Sequence, residues 1–146
     1  MLSCHDVAEY FLALTDEDAG DFISNLKLQK LAYYAQGFHL ALYGEPLFKE
    51  RIMAWTHGPV VPDLYHAYKQ YESGPIPPPE VVDFEKYDQR TRELLDEVYQ
   101  VFGQYSAWKL RNLTHEEPPW LAASDHLGEI TPKAMQEYFK TQIIED

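Results

Sequence analysis

One segment, residues 24–43, constrains the fold more than any other, because its pattern predicts a long helix that is apolar on two sides. The apolar positions fall on two nearly opposite arcs: Leu28, Leu31, Ala35, Phe38 and Leu42, and Leu26, Tyr33 and Leu40. Only two polar seams separate these arcs, Gln29 with Gln36 and Lys27 with Lys30. A helix that is apolar on two sides is normally packed on two sides. The segment therefore predicts a central helix, which ends at Gly44 as a left-handed cap.

Shorter elements are predicted on either side of this helix. Residues that favour helix starts precede or begin the other apolar-periodic stretches: Ser3, Pro62, Asp88, Ser106 and Thr131 with Pro132. Pro118 and Pro119 introduce a short turn of helix around Trp120, and residues 74–79 form a stiff proline-rich connector. Residues 51–56 alternate as a short strand does, and His57-Gly58-Pro59 is typical of a turn. We expect a mainly α fold: one compact domain over residues 1–146, with about six helices and a short β element around residues 51–56.

Composition limits the classes of function. Twelve Lys and Arg residues against 24 Asp and Glu residues give a net charge of −12. Such a surface repels nucleic acid, whose binding depends on cations that neutralise phosphates, so we expect no direct nucleic-acid partner. The 14% aromatic content excludes a disordered acidic tail.

The same composition points to the cytoplasm. The single cysteine, Cys4, cannot form an internal disulfide or a thiolate zinc site, which is typical of a reducing compartment. The residues after Met1 do not form a signal peptide, and the longest uncharged run, residues 31–44, is too short and too polar to cross a bilayer. We therefore expect a cytoplasmic protein with no membrane partner.

No motif for catalysis is evident. The chain has no phosphate loop, dinucleotide fingerprint, nucleophile elbow or zincin pattern. Asp63 and His66, three residues apart on a predicted helix, could present two metal ligands on one face, but a capping aspartate beside an exposed histidine explains them as well. A small metal-dependent or histidine-based hydrolase using His57, His115 and Asp63 or Glu116 is the alternative that we keep open.

Two further side chains have both a functional and a structural interpretation. His39, inside the main apolar arc of the central helix, is either a buried base or pH switch or, as we favour, an edge-of-core histidine with one hydrogen bond. Cys4 falls on the apolar side of the first helix, which predicts an inert, packed thiol.

The eleven tyrosines and three tryptophans are conspicuous. Trp55, Trp108 and Trp120 are most simply core or loop anchors. Tyrosine buries apolar area while one end stays wet, and it is enriched at protein interfaces. Tyr34 lies beside the Lys27/Lys30 seam of the central helix, and Tyr65 lies on the next. These tyrosines form either a partner surface or the rim of the core.

Three segments resemble a known family. Residues 27–39 (KLQKLAYYAQGFH), followed by 44–48 (GEPLF), resemble the signature of the Panacea domain family, the SocA-like antitoxins catalogued as phage-associated proteins. Residues 54–62 (AWTHGPVVP), with Tyr65 after them, and 108–120 (WKLRNLTHEEPPW) resemble two further blocks of that family. We assign a structural role in these blocks to Trp55, Gly58, Pro59, Trp108, Pro119 and Trp120.

The resemblance implies an antitoxin, which neutralises a toxin encoded beside it by direct protein–protein binding or by presenting it to a AAA+ protease. It implies no enzyme activity, no cofactor and no metal. The net charge of −12 suits a basic toxin. We expect contact or support of the toxin from seven residues: Lys27, Lys30, Tyr33, Tyr34, Tyr65, Thr114 and His115.

Overall fold

The structure, a computed structural model, describes residues 1–143 and confirms a mainly α fold. Within this range, the chain forms seven helices and a small three-stranded sheet, in this order: α1 (Cys4–Ala13), α2 (Asn25–Tyr43), β1 (Ile52–Trp55), β2 (Gly58–Val60), α3 (Pro62–Tyr68), α4 (Gln89–Phe102), α5 (Ala107–Thr114), α6 (Pro118–Ser124), β3 (Glu129–Ile130) and α7 (Pro132–Lys140). Short 3₁₀ turns occur at Glu17–Ala19, Lys69–Tyr71 and Phe84–Lys86. No helix of the described chain has the length and apolar character that a membrane span requires.

The helix ends follow the capping chemistry of the sequence. The side chains of Ser24, Asp88, Ser106 and Thr131 each accept a hydrogen bond from a backbone N–H of the first turn. Ser3 forms a reciprocal capping box with Asp6. Gly44 ends α2 with φ +72°, a conformation that glycine adopts without strain. The helix boundaries predicted at these residues are confirmed. They were predictable because capping is a local interaction.

Helix α2 lies at the centre, as its two apolar arcs predict. It packs against five other helices, α1, α3, α4, α5 and α7, and against β2. Its contact with α7 is the most extensive, because Gly37 lets the Phe139 ring approach the helix backbone. A Cβ on Gly37 would lie 2.1 Å from Cε2 of that ring.

The β element is larger than expected. The strands are antiparallel in the order β2-β1-β3, and Trp55 pairs with Gly58 across a tight hairpin. Ile52 and Ala54 face the core, as the alternation predicts. The expectation of a simple turn at His57-Gly58-Pro59 is wrong for its last two residues, which belong to β2. Strand β3 has only two residues, so no periodicity could reveal it.

Three apolar side chains of the helices are exposed to solvent. Leu42 is 45% exposed, Val101 is 41% exposed and Trp108 is 56% exposed. For Trp108, the expected role as a core or loop anchor is wrong, because Leu110 and Thr114 form the buried side of α5 and Trp108 projects away from it.

The proline-rich connector at residues 74–79 is free of helix and strand, as its composition predicts. It is attached to the rest of the fold at Ile76, which is buried and donates a backbone hydrogen bond to the Ile23 carbonyl over 3.0 Å. The segment therefore lies against the start of α2.

Candidate functional site

The β1–β2 hairpin and α5 together present an aromatic surface, which we define by Trp55, His57, Tyr65, Trp108 and Arg111. Trp55 packs edge-to-face on Tyr65 of α3, with the ring centroids 5.2 Å apart. The Arg111 guanidinium lies over the Trp108 indole at 4.3 Å from its centroid, and its Nε donates a hydrogen bond to His57 Nδ1 over 3.3 Å. Tryptophan and arginine are enriched among the hot-spot residues that carry most of the binding energy in protein interfaces.

A chain of polar contacts places this surface relative to α2. The Asn25 amide donates to the Tyr65 carbonyl over 3.1 Å and accepts a hydrogen bond from Gln29 over 2.8 Å. The Gln29 carbonyl oxygen in turn accepts from the Val61 backbone N–H over 2.9 Å. Asn25 and Gln29 are both buried, so their hydrogen bonds compensate for lost hydration while they hold α3 and its N-cap residue, Val61, in place.

A groove of about 610 Å³ adjoins the aromatic surface. Its lining includes the apolar side chains of Leu26, Trp55 and Tyr65 and also Glu72 and Leu127. Glu72 and Leu127 are also the two non-glycine residues with positive φ in the described chain, at 54° and 51°. Such conformations are costly for side-chain-bearing residues and cluster at binding sites, so the presence of both in the lining of one groove favours a functional groove.

Lys30 is fully buried behind the hairpin. Its Nζ donates to the Pro59 carbonyl over 3.0 Å, and burial together with the Arg111 charge lowers its pKa to about 7. Gly58 has φ +108°, and a Cβ there would lie 2.8 Å from both Lys30 Cε and Thr114 Oγ1. The hairpin thus closes over Lys30 and Thr114 because position 58 carries no side chain.

A second buried cluster joins α2 to the start of α6. Tyr33 and Tyr34 each donate a hydroxyl hydrogen bond to the Glu117 carboxylate over 2.9 Å, and the Tyr138 hydroxyl lies beside the same group. Burial raises the pKa of Glu117 to about 7, and burial beside this carboxylate raises the pKa of Tyr138 to about 12. The Tyr34 ring also stacks on Phe102 at 3.9 Å. This cluster holds the α5–α6 junction against the central helix.

The α6 tryptophan connects that junction to the hairpin. Trp120 Nε1 donates to the Trp55 carbonyl over 2.9 Å, and the His115 ring stacks on Trp120 at 4.1 Å. Burial and the nearby Arg111 charge lower the pKa of His115. The neutral imidazole therefore packs as an aromatic ring between α5 and α6.

The structure separates the seven expected partner-binding residues into two groups. Lys30, Tyr33, Tyr34 and Thr114 are buried, which contradicts a place for Tyr34 on an exposed partner surface and leaves its alternative, a place in the core. The other three are accessible to different degrees: Lys27, Tyr65 and His115. Of these, Tyr65 belongs to the aromatic surface, whereas the Lys27 ammonium donates to the Gly103 carbonyl.

The sequence interpretation missed Trp108 and Arg111 as candidates for contact. The signal was present, because Leu110 and Thr114 are spaced four residues apart on the buried face of α5. Trp108 is two residues from Leu110 and therefore projects from another side of the helix. Arg111, three residues after Trp108, lies beside it and covers its ring.

In the part of the chain that the structure describes, no hydrogen bond joins the residues of the alternative hydrolase, His57, His115, Asp63 and Glu116, to one another. No group of three His, Cys, Asp or Glu side chains in residues 1–143 is arranged to hold a metal ion. Asp63 lies in a separate depression with Lys49 and Arg51, and the Glu116 side chain is exposed. His57 hydrogen-bonds to Arg111 rather than to an acid or a nucleophile.

His39 and Cys4 have the structural environments that we favoured. His39 is 4% exposed, and its Nδ1 donates to the Glu45 carbonyl over 2.6 Å. Burial lowers the pKa of this histidine. Cys4 is fully buried, and burial raises the pKa of its thiol to about 12, which leaves little reactive thiolate.

Comparison with known proteins defines the family. The family model described as "Antitoxin SocA-like, Panacea domain" matches residues 28–121, which include most of α2, the hairpin and α5. Antitoxin SocA of Caulobacter vibrioides (strain NA1000 / CB15N) is 32% identical over a 111-residue alignment that covers 67% of this chain and 58% of SocA. No solved structure matches the chain.

The chain belongs to the SocA-like Panacea domain family. The matched region contains every residue of the aromatic surface and of the Lys30 environment, as well as Tyr33, Tyr34 and Glu117. The chain spans a little over half the length of the curated relative that it matches.

Proposed function

We propose that this protein is an antitoxin that neutralises a cognate toxin, encoded beside it, through direct protein–protein binding. The observation that carries the proposal is the family match over residues 28–121, because that region builds an exposed Trp108–Arg111 pair on a rigid support. Neutralisation of this kind needs no bond to be made or broken by the antitoxin. The proposal therefore includes no enzyme activity and no cofactor.

The aromatic surface is the proposed toxin contact. Aromatic residues and arginine carry much of the binding energy in protein interfaces, and a rigid, preorganised surface loses little entropy on binding. Rigidity comes from the buried groups behind it, Lys30 and Thr114 under the hairpin and Glu117 between Tyr33 and Tyr34. The groove beside Tyr65 has the volume to take several apolar side chains of the toxin.

The charge of the chain indicates the kind of toxin. A net charge of −12 accelerates encounter with a basic protein and opposes contact with nucleic acid or an anionic membrane. A toxin that acts on nucleic acid commonly carries a basic surface, which this antitoxin would cover.

The test is substitution of Trp108 in the full-length chain, co-expressed with the protein encoded beside it. We expect Trp108→Ala to weaken toxin binding by about 2 kcal/mol or more, roughly 30-fold, and to abolish rescue of growth. Because Trp108 is 56% exposed, the melting temperature should change little. The matched control is Leu121→Ala, at a residue that is 50% exposed on α6. Equal toxin binding by Trp108→Ala and wild type would reject this surface as the toxin contact. Failure of the wild-type chain to bind the toxin or to rescue growth would reject the antitoxin role.

Occlusion and presentation to a AAA+ protease are two outcomes of the same binding event. We favour occlusion, in which the toxin keeps its cellular half-life while growth is restored. A pulse–chase measurement of the toxin distinguishes them, since an adaptor must shorten that half-life when the antitoxin is present.

A further inference from the structure

A second groove, the α2/α4 groove, is formed by α2, α4 and residues 142–143 after α7, and it lies at the opposite end of α2 from the aromatic surface. Its volume is about 510 Å³, and its apolar lining includes Phe38, Leu42, Val98, Val101 and Phe102. Leu42 and Val101 are 45% and 41% exposed, so the groove leaves apolar area in water. A partner that covers this groove would remove that apolar area from water, which favours binding.

The shape of this groove suits a helix. Arg90, at the start of α4, stacks on Tyr43 at the end of α2, and Phe102, at the end of α4, stacks on Tyr34. The two helices are therefore antiparallel along the groove. The eight-residue interval from Leu94 to Phe102 corresponds to a rise of about 12 Å, or roughly two helical turns. A helix of that length presents apolar side chains at i, i+4 and i+7.

The charges around the groove select the partner. Glu97 lines it, and Glu93, one turn earlier, is exposed on the same side of α4. Arg90, near the Leu94 end, is already engaged by Glu45 at 3.2 Å and by the Tyr43 ring at 3.9 Å. The acidic edge thus favours Lys or Arg on the partner. A second copy of this chain, also at −12, would be repelled.

We propose that the α2/α4 groove binds an amphipathic helix of a partner protein, with its apolar face on Leu42 and Val101 and its Lys or Arg residues against Glu93 and Glu97. This site is separate from the aromatic surface, and the proposal does not depend on the antitoxin role.

The experiment is a fluorescence-anisotropy titration of the full-length chain against a synthetic helical peptide of about 15 residues. The peptide carries leucine along one face and lysine on its flanks, and a second peptide of the same pattern carries glutamate in place of lysine. Two variants change the groove, Val101→Asp in its floor and Glu97→Lys at its edge. Their matched controls lie outside it, Val81→Asp at a residue that is 85% exposed and Glu116→Lys at an exposed glutamate.

We expect the lysine peptide to bind at least about tenfold more tightly than the glutamate peptide at low salt. Val101→Asp should weaken binding about tenfold or more, since it places an unpaired charge on the contact. Glu97→Lys should remove most of the preference for lysine, and both controls should match wild type. Thermal melts establish that each variant is folded. Glu97 is exposed, so Glu97→Lys still tests the proposal if Val101→Asp is unstable.

Three results would overturn the proposal. The first is equal binding of the two peptides, or equal loss in the groove variants and their controls. The second is a dimer in sedimentation that Val101→Asp dissociates, which would assign the groove to a second copy. The third is peptide binding by a truncated chain that ends at Ile143 but not by the full-length chain. That result would assign the groove to the last three residues of the chain itself.

Discussion

Lys30 and Glu117 have opposite charges in water, and burial shifts both toward their neutral forms. The pKa of Lys30 falls to about 7 and that of Glu117 rises to about 7, in each case chiefly through burial. Neither faces a close partner of opposite charge: Lys30 donates to a backbone carbonyl, and Glu117 accepts from tyrosine hydroxyls. Burial of these polar groups lowers the stability of the fold, and the same groups position the hairpin and α6.

The Lys30 environment predicts a pH-dependent stability difference between wild type and Lys30→Met. Between pH 7 and 10.5 the unfolded chain holds the Lys30 proton and the folded chain does not, so the contribution of this residue to stability rises with pH. Lys30→Met, which removes the buried charge, should be more stable than wild type by about 2–4 kcal/mol below pH 7. That advantage should shrink as the pH approaches 10.5.

Urea denaturation across this pH range measures the difference, and Lys140→Met, at an exposed position of α7, is the control. A difference between wild type and Lys30→Met that stays constant with pH would contradict the proposed cause.

At the scale of elements, the α2–α7 contact is the most extensive between helices. It depends on a glycine in the middle of a helix, which is a residue that ordinarily weakens helices by about 1 kcal/mol relative to alanine. Here Gly37 admits the Phe139 ring, which is 1% exposed and also packs on Tyr33 and Phe38. Close packing between the helices outweighs local helix propensity.

We therefore predict that Gly37→Ala destabilises the fold even though alanine is the better helix former. The added Cβ would lie 2.1 Å from the Phe139 ring, so that the ring or α7 must shift. We expect a net loss of about 1–3 kcal/mol in the free energy of unfolding, measured by chemical denaturation. Gln100→Ala, at an exposed position of α4, serves as the control and should change stability by less than about 0.5 kcal/mol. An equal or higher stability of Gly37→Ala would show that α7 adjusts without cost.

At the scale of the whole molecule, the charge and the aromatic surface have different roles in the proposed complex. The net charge of −12 acts at long range and affects the rate of encounter. Trp108 and Tyr65 act only in contact, and they affect how long the complex lasts. The two contributions can be separated because salt screens the first and hardly affects the second.

Toxin binding should accordingly show a salt-dependent association rate and a nearly salt-independent dissociation rate. Raising the salt concentration from about 0.05 M to about 0.5 M should lower the association rate roughly tenfold or more, while Trp108→Ala should chiefly raise the dissociation rate. Surface plasmon resonance with the co-purified toxin measures both rates. An association rate that is independent of salt would contradict the expectation of a basic toxin.

The elements of the fold were predictable because their determinants are local. The N-caps at Ser24, Asp88 and Ser106 and the C-cap at Gly44 depend on side chains within a few residues of each helix end. The central position of α2 followed from apolar residues on two sides. Strand β3 was not predictable, since two residues carry no period and pair only because α6 leads the chain back to β1.

What the sequence determined by itself was the set of helices, the central place of α2 and the family, since periodicity, capping and motif spacing are properties of the chain. Only the tertiary structure decided which tyrosines are accessible. Tyr34 and Tyr65 looked alike in sequence, yet Tyr34 is buried against Phe102 and Glu117 while Tyr65 stays partly exposed beside Trp55. Burial depends on what other elements place opposite a side chain. For Tyr34 one such partner, Glu117, lies 83 residues away in the sequence.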